Sequence, residues 1–300
     1  MTAAPRSATE YDVSVVVAYD GAREQLEQRL VAIARACRSH RAEIVFVAPD
    51  SVRAEIRGEY PLPLTCVVAA SELVPALWGR GIAIARGEFV ALTTTQFAPR
   101  ETWLDALLRR FDDARIAGVG GTIGLAARAG MLGRAVYFIR YSEHLPSKSA
   151  PAPHDIAGEN AAYRRDAVLS AYPKVADGFW EVDAHRVMRA AGGKIVQARD
   201  AVLDFAPVLS LRAMMSNRYV HGGHFGSYRV NTLKWPRWKA VAVTPLVPVV
   251  LLMRILQRVA RAGHSVAEVF SALPVIIPLL CAWALGEASG ALSKRGGRDG

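Results

Sequence analysis

Residues Gly87–Pro99 read GEFVALTTTQFAP and decide the fold, because an apolar run here ends in three consecutive threonines. Phe89–Leu92 has the length and composition of a buried strand, and the β-branched threonines can extend it. In open α/β sheets, ligands bind at the carboxyl ends of the strands. The stretch therefore predicts a central strand that delivers the hydroxyls of Thr93, Thr94 and Thr95 to the edge where a substrate would lie.

The segments before this strand predict a mostly parallel sheet. Val13–Ala18 and Ile44–Val47 are compact β-branched runs, and residues 24–38 between them place apolar side chains at helical spacing. Parallel strands need such a crossover helix, which is right-handed. The pattern repeats at Leu64–Ala69 and Leu73–Ala85 before the central strand. The predicted class is α/β, a Rossmann-like sheet with helices on both faces.

Beyond the central strand the pattern weakens. Trp103–Phe111 predicts a helix and Ile116–Ile123 a glycine-interrupted strand, whereas residues 134–153 show no clear period. Pro146–Pro153 is a loop by composition, either a functional lid or a mobile surface loop. Gly178–Asp183 is predicted to open a further helix, which runs through Arg189 to a stop at Gly192–Gly193.

Composition favours an anionic partner. The 300 residues carry a formal net charge of +10, are 52% hydrophobic and have a mean hydropathy of +0.17. Such a basic balance suits nucleotide phosphates or lipid headgroups, and no zinc-finger or ribonucleoprotein pattern supports nucleic acid. Three isolated cysteines suit a reducing compartment, and the first residues lack a signal-peptide core. We expect the first domain to stay in the cytosol.

Four motifs follow one another along the first two thirds of the chain. They are the strand Val13–Tyr19, GIAIARGE at Gly81–Glu88, GENAAYRR at Gly158–Arg165 and WEVD at Trp180–Asp183. In this order and spacing they resemble family 2 glycosyltransferases of GT-A fold. The resemblance implies a GT-A domain over residues 11–210 that takes a sugar from a nucleotide-sugar donor.

The resemblance also implies where the donor would bind. In that family the end of the first strand and the turn after the second hold the nucleotide, which corresponds here to Tyr19, Asp20 and Asp50. The family's usual metal-binding Asp-x-Asp is replaced by Thr93 and Thr95, whose hydroxyls are poor ligands for hard divalent cations. We therefore predict no metal ligands, and Mn²⁺ or Mg²⁺ stays open as a cofactor held by other groups.

The threonine edge has two interpretations. It is either the plain end of a strand, or the hydroxyls of Thr93 and Thr95 hold the diphosphate together with backbone N–H groups. In the second case a cation such as Arg80 or Arg86 would assist, since charge-assisted hydrogen bonds to phosphate are strong. The departure from the family pattern indicates a divergent subgroup with a rebuilt donor site.

The carboxylates ahead of the late helix are the catalytic candidates that the resemblance implies. Asp183 is the first choice for the general base and Glu181 follows closely, because the family spacing slips here by about one residue. A base must come within hydrogen-bond reach of the acceptor hydroxyl. Acids at a helix start are also favoured by the helix dipole alone, which is the structural alternative.

Four residues are predicted to bind the acceptor. Asn160, in GENAAYRR, would fix a sugar, although an asparagine before a helix is also a common N-cap. Arg218, His221 and Arg229 lie in a stretch of cations, aromatics and glycines that loosely resembles the Gln-x-x-Arg-Trp motif of processive family members. They suit the phosphate of a lipid-linked acceptor or of the nucleotide. The alternative is a polar helix that rests on lipid headgroups.

Residues 240–290 are predicted to be a membrane-associated helical hairpin or re-entrant helices. Ala240–Met253 would span about 21 Å as a helix and Val269–Gly286 about 27 Å, against a hydrocarbon core of about 30 Å. Basic residues flank and separate the two segments, which the positive-inside rule disfavours for a spanning hairpin. We prefer attachment in the interface, with Trp238 and Trp283 at headgroup level. A soluble helical cap is the alternative.

The remaining segments complete the predicted domain plan. Residues 1–10 are a disordered amino terminus, residues 211–239 an amphipathic interface segment, and residues 291–300 a basic disordered tail. The plan places the protein at the cytoplasmic face of the cell membrane, attached through its carboxyl-terminal region.

The functional hypothesis is a membrane-associated, inverting glycosyltransferase. It would move a sugar from a nucleotide-sugar donor to a hydroxyl of a lipid-linked or membrane-bound acceptor on an anionic membrane surface, without nucleic acid, and self-association is compatible with it. One alternative is a catalytically inactive GT-A-fold binding or scaffold subunit of a glycan-assembly complex. Thr93 and Thr95 favour that alternative, whereas Glu181 and Asp183 argue against it. A metal-independent transferase with an unusual donor lies between the two.

Overall fold

The computed structural model describes residues 10–21, 23, 25–69, 73–147 and 155–293. The chain divides into two compact units, one formed by residues 1–127 and 144–208 and the other by residues 128–143 and 209–300. The two ends predicted to be disordered lie almost wholly outside the described residues, as does most of the predicted loop Pro146–Pro153.

Among the described residues, eight strands and six α-helices belong to the first unit and six α-helices to the second. The strands are β1 (Tyr11–Ala18), β2 (Ala42–Ala48), β3 (Leu64–Val68), β4 (Gly87–Thr94), β5 (Phe97–Pro99), β6 (Ile116–Leu125), β7 (Ala161–Arg164) and β8 (Lys194–Phe205). The helices are α1 (Leu26–Ala36), α2 (Asp50–Arg53), α3 (Val74–Ile84), α4 (Trp103–Leu108), α5 (Met131–Tyr141), α6 (Arg165–Ala171), α7 (Glu181–Ala190), α8 (Leu211–Asn231), α9 (Arg237–Ala242), α10 (Val247–Arg261), α11 (Val266–Ser271) and α12 (Leu273–Leu292).

The eight strands form one mixed sheet in the order β3-β2-β1-β4-β7-β6-β8-β5. Strands β1 to β4 pair in parallel, β6 pairs in parallel with β8, and the short strands β7 and β5 run antiparallel to their neighbours. All seven residues of β2 are buried, so both faces of the sheet are covered at its centre. The predicted α/β class with a mostly parallel sheet is confirmed.

Several elements differ from the sequence prediction, and the strands β5 and β8 were not predicted. Helix α5 lies in the stretch that showed no clear period, and it belongs to the second unit although the predicted domain of residues 11–210 included it. Strand β7 was not predicted, since it has only four residues and two of them are alanines, which favour helices. Its strand form is decided by pairing with β4 on one side and β6 on the other.

A buried carboxylate closes the sheet at the amino ends of β1, β2 and β4. Glu43 of β2 is 1% exposed, and it accepts hydrogen bonds from the Ser14 hydroxyl at 2.7 Å and from the Arg86 backbone N–H at 2.9 Å. The Arg86 guanidinium reaches the same carboxylate at 2.6 Å. Arg86 thus lies at the edge opposite to the carboxyl ends of the strands, so the predicted assistance to a diphosphate from Arg86 is wrong.

In the second unit, α8 and α12 pack with their backbones in close contact. A β-carbon added to Gly222 or Gly226 of α8 would lie 2.2 or 2.0 Å from a carbonyl oxygen of α12. One added to Gly286 or Gly290 of α12 would lie 2.0 or 1.9 Å from a carbonyl oxygen of α8. Small residues spaced four apart allow this approach, which is common between helices in membranes.

Two helical segments of the second unit are long and apolar enough to cross a membrane. They are Arg237–Arg261, with a mean hydropathy of 1.9, and Leu273–Leu292, with 1.7. The first is longer than the uncharged stretch Ala240–Met253 from which a short helix was predicted, and it passes through a 3₁₀ turn at Thr244–Leu246. Only 17% of its apolar window is buried, against 50% in the second segment.

Candidate functional site

The carboxyl ends of β1 and β4 meet at a cluster of polar groups. The Asp20 carboxylate, just after β1, accepts hydrogen bonds from the hydroxyls of Thr94 at 2.6 Å and Thr95 at 2.7 Å. The side-chain amide of Gln96 donates to the Asp20 carbonyl at 3.2 Å. Tyr19 leads into this cluster and is tied to β2 through its backbone N–H. The structure therefore brings together Tyr19, Asp20 and Thr95, as the sequence predicted from the strand ends.

Arg29 of α1 braces the cluster and was not predicted. Its guanidinium donates to the Thr95 carbonyl at 2.8 Å and to the Ala206 carbonyl at 2.7 Å. Burial lowers the pKa of Arg29, and the negative charge of Asp20 opposes that shift. A signal for it exists in the sequence, because Arg29 shares the apolar face of α1 with Leu26 and Ile33 at spacings of three and four.

Two polar atoms at this edge have unused hydrogen-bonding capacity. Among the described residues, neither the Thr93 hydroxyl nor the Gln96 side-chain carbonyl has a hydrogen-bond partner, although both are buried. Leaving a buried polar atom unpaired costs about 1–3 kcal/mol. The Thr93 carbonyl is engaged, since it accepts a hydrogen bond from the Trp78 indole N–H at 2.9 Å.

The start of α7 is fastened to the same edge of the sheet. The Phe179 backbone N–H donates to the Pro75 carbonyl at 2.8 Å, in the first turn of α3. Gly79 of α3 contacts the preceding 3₁₀ turn so closely that a β-carbon would lie 2.1 Å from the Val175 carbonyl oxygen. Because α3 begins after the carboxyl end of β3, these contacts hold the first residues of α7 there.

Glu181, the first residue of α7, lies beside Gly158. A β-carbon placed on Gly158 would be 3.5 Å from the β-carbon of Glu181 and 2.9 Å from the Trp78 ring. Gly158 therefore neighbours both the first residue of α7 and Trp78, whose indole N–H bonds to the Thr93 carbonyl.

Asp183 faces away from this position. Two residues along an α-helix correspond to a rotation of about 200°, so Glu181 and Asp183 cannot share a face. Asp183 is exposed and forms an ion pair with Arg186 at 2.6 Å. Burial, with a contribution from the Asp183 charge, raises the pKa of Tyr172. Of the two predicted bases, Glu181 is the one beside Gly158, whereas Asp183 is paired with Arg186.

A series of buried polar side chains connects α7 to the sheet, and it was not predicted. The Tyr163 hydroxyl of β7 lies 2.7 Å from His185 Nε2, and His185 Nδ1 lies 2.5 Å from a carboxylate oxygen of Asp155. Arg189 reaches the same oxygen at 3.2 Å. Tyr163 and His185 are both fully buried. These side chains fix the helix that carries Glu181 to the sheet.

The electrostatics of these side chains follow from burial and charge. Burial, together with the charges of Glu181 and Asp155, raises the pKa of Tyr163 well above its usual range. Burial alone would raise the pKa of Asp155 too, but the contacts from His185 and Arg189 outweigh it and hold the pKa below its ordinary value.

Asn160 has a structural position. Its side-chain carbonyl accepts a hydrogen bond from the Trp103 indole N–H at 2.7 Å, and its amide donates to the carbonyls of Thr122 at 2.7 Å and Ala201 at 3.1 Å. The residue is fully buried. It therefore ties α4 to β6 and β8, which is neither the predicted acceptor contact nor an N-cap.

Two further predicted donor residues have other partners or surroundings. Asp50 opens α2, 3.6 Å from the Arg53 guanidinium, and both line an open cavity of about 530 Å³ with Cys66. Arg80 is exposed on α3. Within the described part of the chain, no hydrogen bond or ion pair joins either side chain to Asp20.

The predicted acceptor residues of α8 have different surroundings. Arg229 lies 3.1 Å from the buried carboxylate of Glu287, so its charge is neutralised within the second unit. Arg218 stacks on Trp283, with its guanidinium 4.4 Å from the ring centroid. Burial lowers the pKa of His221, and the charge of Arg218 adds to that effect. Trp283 is half-buried, with Arg218 stacked on its ring.

Metal binding is not decided by the side chains alone. In the ranges that the structure describes, no group of three or more His, Cys, Asp or Glu side chains is placed to hold a metal ion. This observation does not bear on an ion that would bind together with a nucleotide.

Comparison with known proteins adds no assignment. No protein-family model matches the chain, and a search of curated proteins finds no significant match. The function is therefore argued from the geometry of the described residues.

Proposed function

We propose that this protein is a membrane-associated glycosyltransferase of GT-A fold, which moves a sugar from a nucleotide-sugar to a hydroxyl of a lipid-linked or membrane-bound acceptor. The observation that carries the proposal is that Gly158 neighbours both Glu181 and Trp78, whose indole bonds to Thr93 at the carboxyl end of β4 in a mostly parallel sheet. Ligands of such sheets bind at this edge. The reaction class comes from the resemblance of the four motifs to family 2 glycosyltransferases.

The donor would bind at the Asp20 cluster. Two threonine hydroxyls donate to the Asp20 carboxylate and orient it, and a carboxylate is the kind of acceptor that a base N–H or a ribose hydroxyl needs. The unused hydroxyl of Thr93 and the unused carbonyl of Gln96 offer one donor and one acceptor more. These groups recognise a nucleotide by hydrogen bonding without a charged metal ligand.

Glu181 would act as the general base. Its carboxylate takes the proton of the acceptor hydroxyl while that oxygen attacks the anomeric carbon of the donor sugar. The bond from the anomeric carbon to the diphosphate oxygen breaks, and the nucleoside diphosphate leaves with the electron pair. Attack opposite to the leaving group inverts the configuration of that carbon.

The second unit would attach the enzyme to the cytoplasmic face of the membrane. Its two apolar segments expose large side chains, among them Trp238 at 74% and Leu246 at 61% exposure. Apolar surface of this kind is typical of membrane contact. The net charge of +10 would add attraction to anionic lipids.

Two matched variants test the proposed base. Glu181→Gln keeps the size of the side chain but cannot take a proton, so we expect turnover to fall by about 10²- to 10⁴-fold while nucleotide binding persists. Asp183→Asn is the control and should retain activity within about threefold, because a surface residue outside the site has little influence. Product release from a panel of UDP- and GDP-sugars, with and without Mn²⁺, gives the readout. Full activity in Glu181→Gln would remove the mechanism.

A non-catalytic binding or scaffold subunit is the second candidate, favoured by Thr93 and Thr95 in place of the family's acids. Calorimetric titration with UDP, GDP and their sugar conjugates separates the two candidates. Binding that does not depend on Mn²⁺ supports a metal-independent transferase, whereas no binding of any nucleotide supports the scaffold.

A further inference from the structure

Helix α8 carries two inward-facing arginines. One has an acidic partner, and the other has none among the described residues. Arg218 and Arg229 are eleven residues apart, about three helical turns, so they point to the same side. Arg229 meets the buried Glu287 carboxylate at 3.1 Å. Arg218 forms no ion pair with any acid among the described residues, and its Nε atom is buried without a hydrogen-bond partner. Its contact is the Trp283 ring.

The neighbouring charged group that shifts the pKa of Arg218 is also positive. Burial lowers the pKa of Arg218 to about 10, and the guanidinium of Arg140 on α5 adds to the shift. Burial and the positive charges of Arg218, His224 and Arg140 lower the pKa of His221. The one acid of α12 nearby, Glu287, is engaged by Arg229 and the Trp283 indole. A partly buried cation without a counter-ion is costly, and an anion would remove that cost.

The position of Arg218 in the second unit indicates which class of anion would bind to it. The Arg218 guanidinium stacks on the ring of Trp283. Trp283 belongs to a segment that is long and apolar enough to cross a membrane. An anion that reaches side chains packed on such a helix is expected to be attached to a lipid. Guanidinium groups match phosphate oxygens with paired hydrogen bonds, and Arg218 retains unused donors for this purpose.

We propose that Arg140, Arg218 and His221 form a binding site for the phosphate group of a membrane lipid. The site adds Arg140 to the residues predicted from the sequence and leaves out Arg229, which has an internal partner. As the place of the acceptor it rests on the proposed transferase function. As a phosphate site it stands alone, because every residue belongs to the second unit.

The test uses the full chain in an uncharged detergent and short-chain lipids below their micellar concentration, so that general attraction to a charged surface is absent. Dihexanoyl phosphatidic acid, dihexanoyl phosphatidylcholine and inorganic phosphate are titrated by calorimetry. We expect saturable binding of one phosphatidic acid, weaker by about tenfold or more in Arg218→Gln and in Arg140→Gln. Arg254→Gln removes an exposed arginine of α10 and should bind as the wild type does.

A conservative variant and two further titrations give results that could contradict the proposal. Arg218→Lys retains the charge, so it should fold with an unchanged unfolding temperature and bind with intermediate affinity, which separates loss of the site from loss of the fold. Inorganic phosphate that binds as tightly as phosphatidic acid would overturn the lipid part. No saturable binding, or equal loss in Arg254→Gln, would overturn the site. Nucleotide titration of the same samples tests the proposed function separately, since Arg218→Gln should leave it unchanged.

Discussion

The two edges of the sheet in the first unit each hold a carboxylate, and they use it in opposite ways. At the amino edge, Glu43 is surrounded by a hydroxyl, a backbone N–H and a guanidinium, all within the protein. At the carboxyl edge, two hydroxyls hold Asp20, and the nearby Arg29 guanidinium donates to backbone carbonyls. The first arrangement neutralises the acid and the second orients it.

This difference separates structural from functional polar groups. A buried ion pair with all its hydrogen bonds made has no capacity left for a ligand, and removing one partner is strongly destabilising. The carboxyl edge instead contains buried polar atoms with unused capacity, at Thr93 and Gln96. Variants at the amino edge should therefore change the free energy of unfolding, whereas variants at the carboxyl edge should change nucleotide affinity.

The largest expected effect is on stability, from Glu43→Ala. The Ser14 hydroxyl and the Arg86 backbone N–H would both lose a buried acceptor, so we expect the free energy of unfolding to fall by about 3 kcal/mol. Urea denaturation followed by circular dichroism measures it. Nucleotide affinity of the folded fraction should not change, and a loss of affinity without a loss of stability would contradict the division between the two edges.

The next prediction concerns Asp155 and the dependence of stability on pH. Its pKa is lower in the folded protein than in the unfolded chain, so its contribution to stability is present above the unfolded value of about 3.8 and is lost as the pH falls through the lower folded value. Asp155→Asn should therefore be less stable than the wild type by about 1–2 kcal/mol at pH 6. The difference should shrink on acidification to pH 3. Urea unfolding at both pH values measures it, and a gap that widened on acidification would contradict the assigned sign.

The sequence predicted the parallel half of the sheet because β1, β2 and β4, which are buried on both faces, contain continuous apolar runs. Strand β7 and helix α5 could not be predicted in this way, since four residues are too few for a period and the apolar run Ala135–Ile139 of α5 fits a helix and a strand alike. Pairing with two neighbouring strands decides β7, and that information is not local.

The site was predictable only where adjacent strand ends meet. Asp20 and Thr95 converge because β1 pairs with β4, and the family resemblance had assigned both residues to the donor without stating that pairing. The contact of Arg29 with Ala206 joins residues 177 positions apart, and no local pattern indicates it. The choice between Glu181 and Asp183 depended on the first residue of α7, because a shift of two residues turns a side chain to the opposite face.

Asp20→Asn should act on binding more than on stability. The asparagine carbonyl can still accept one threonine hydrogen bond, so we expect the free energy of unfolding to change by less than about 1 kcal/mol. The lost negative charge and acceptor capacity should weaken nucleotide binding by about tenfold. Calorimetric titration measures the affinity. A loss of 3 kcal/mol in stability instead would place Asp20 with Glu43 as a structural acid.

Thr93→Val should give the smallest effect. It tests most directly whether the Thr93 hydroxyl is available to hydrogen-bond a ligand. Valine has nearly the shape of threonine, and the Thr93 hydroxyl is buried without a partner among the described residues, so stability should stay equal or rise by up to about 1 kcal/mol. Nucleotide affinity should fall by about threefold, because a ligand would lose one hydrogen bond. Thr94→Val is the matched control: its hydroxyl donates to Asp20 at 2.6 Å, and its removal should lower stability. If the two variants lost equal stability, the Thr93 hydroxyl would have an internal partner and the carboxyl edge would be as closed as the amino edge.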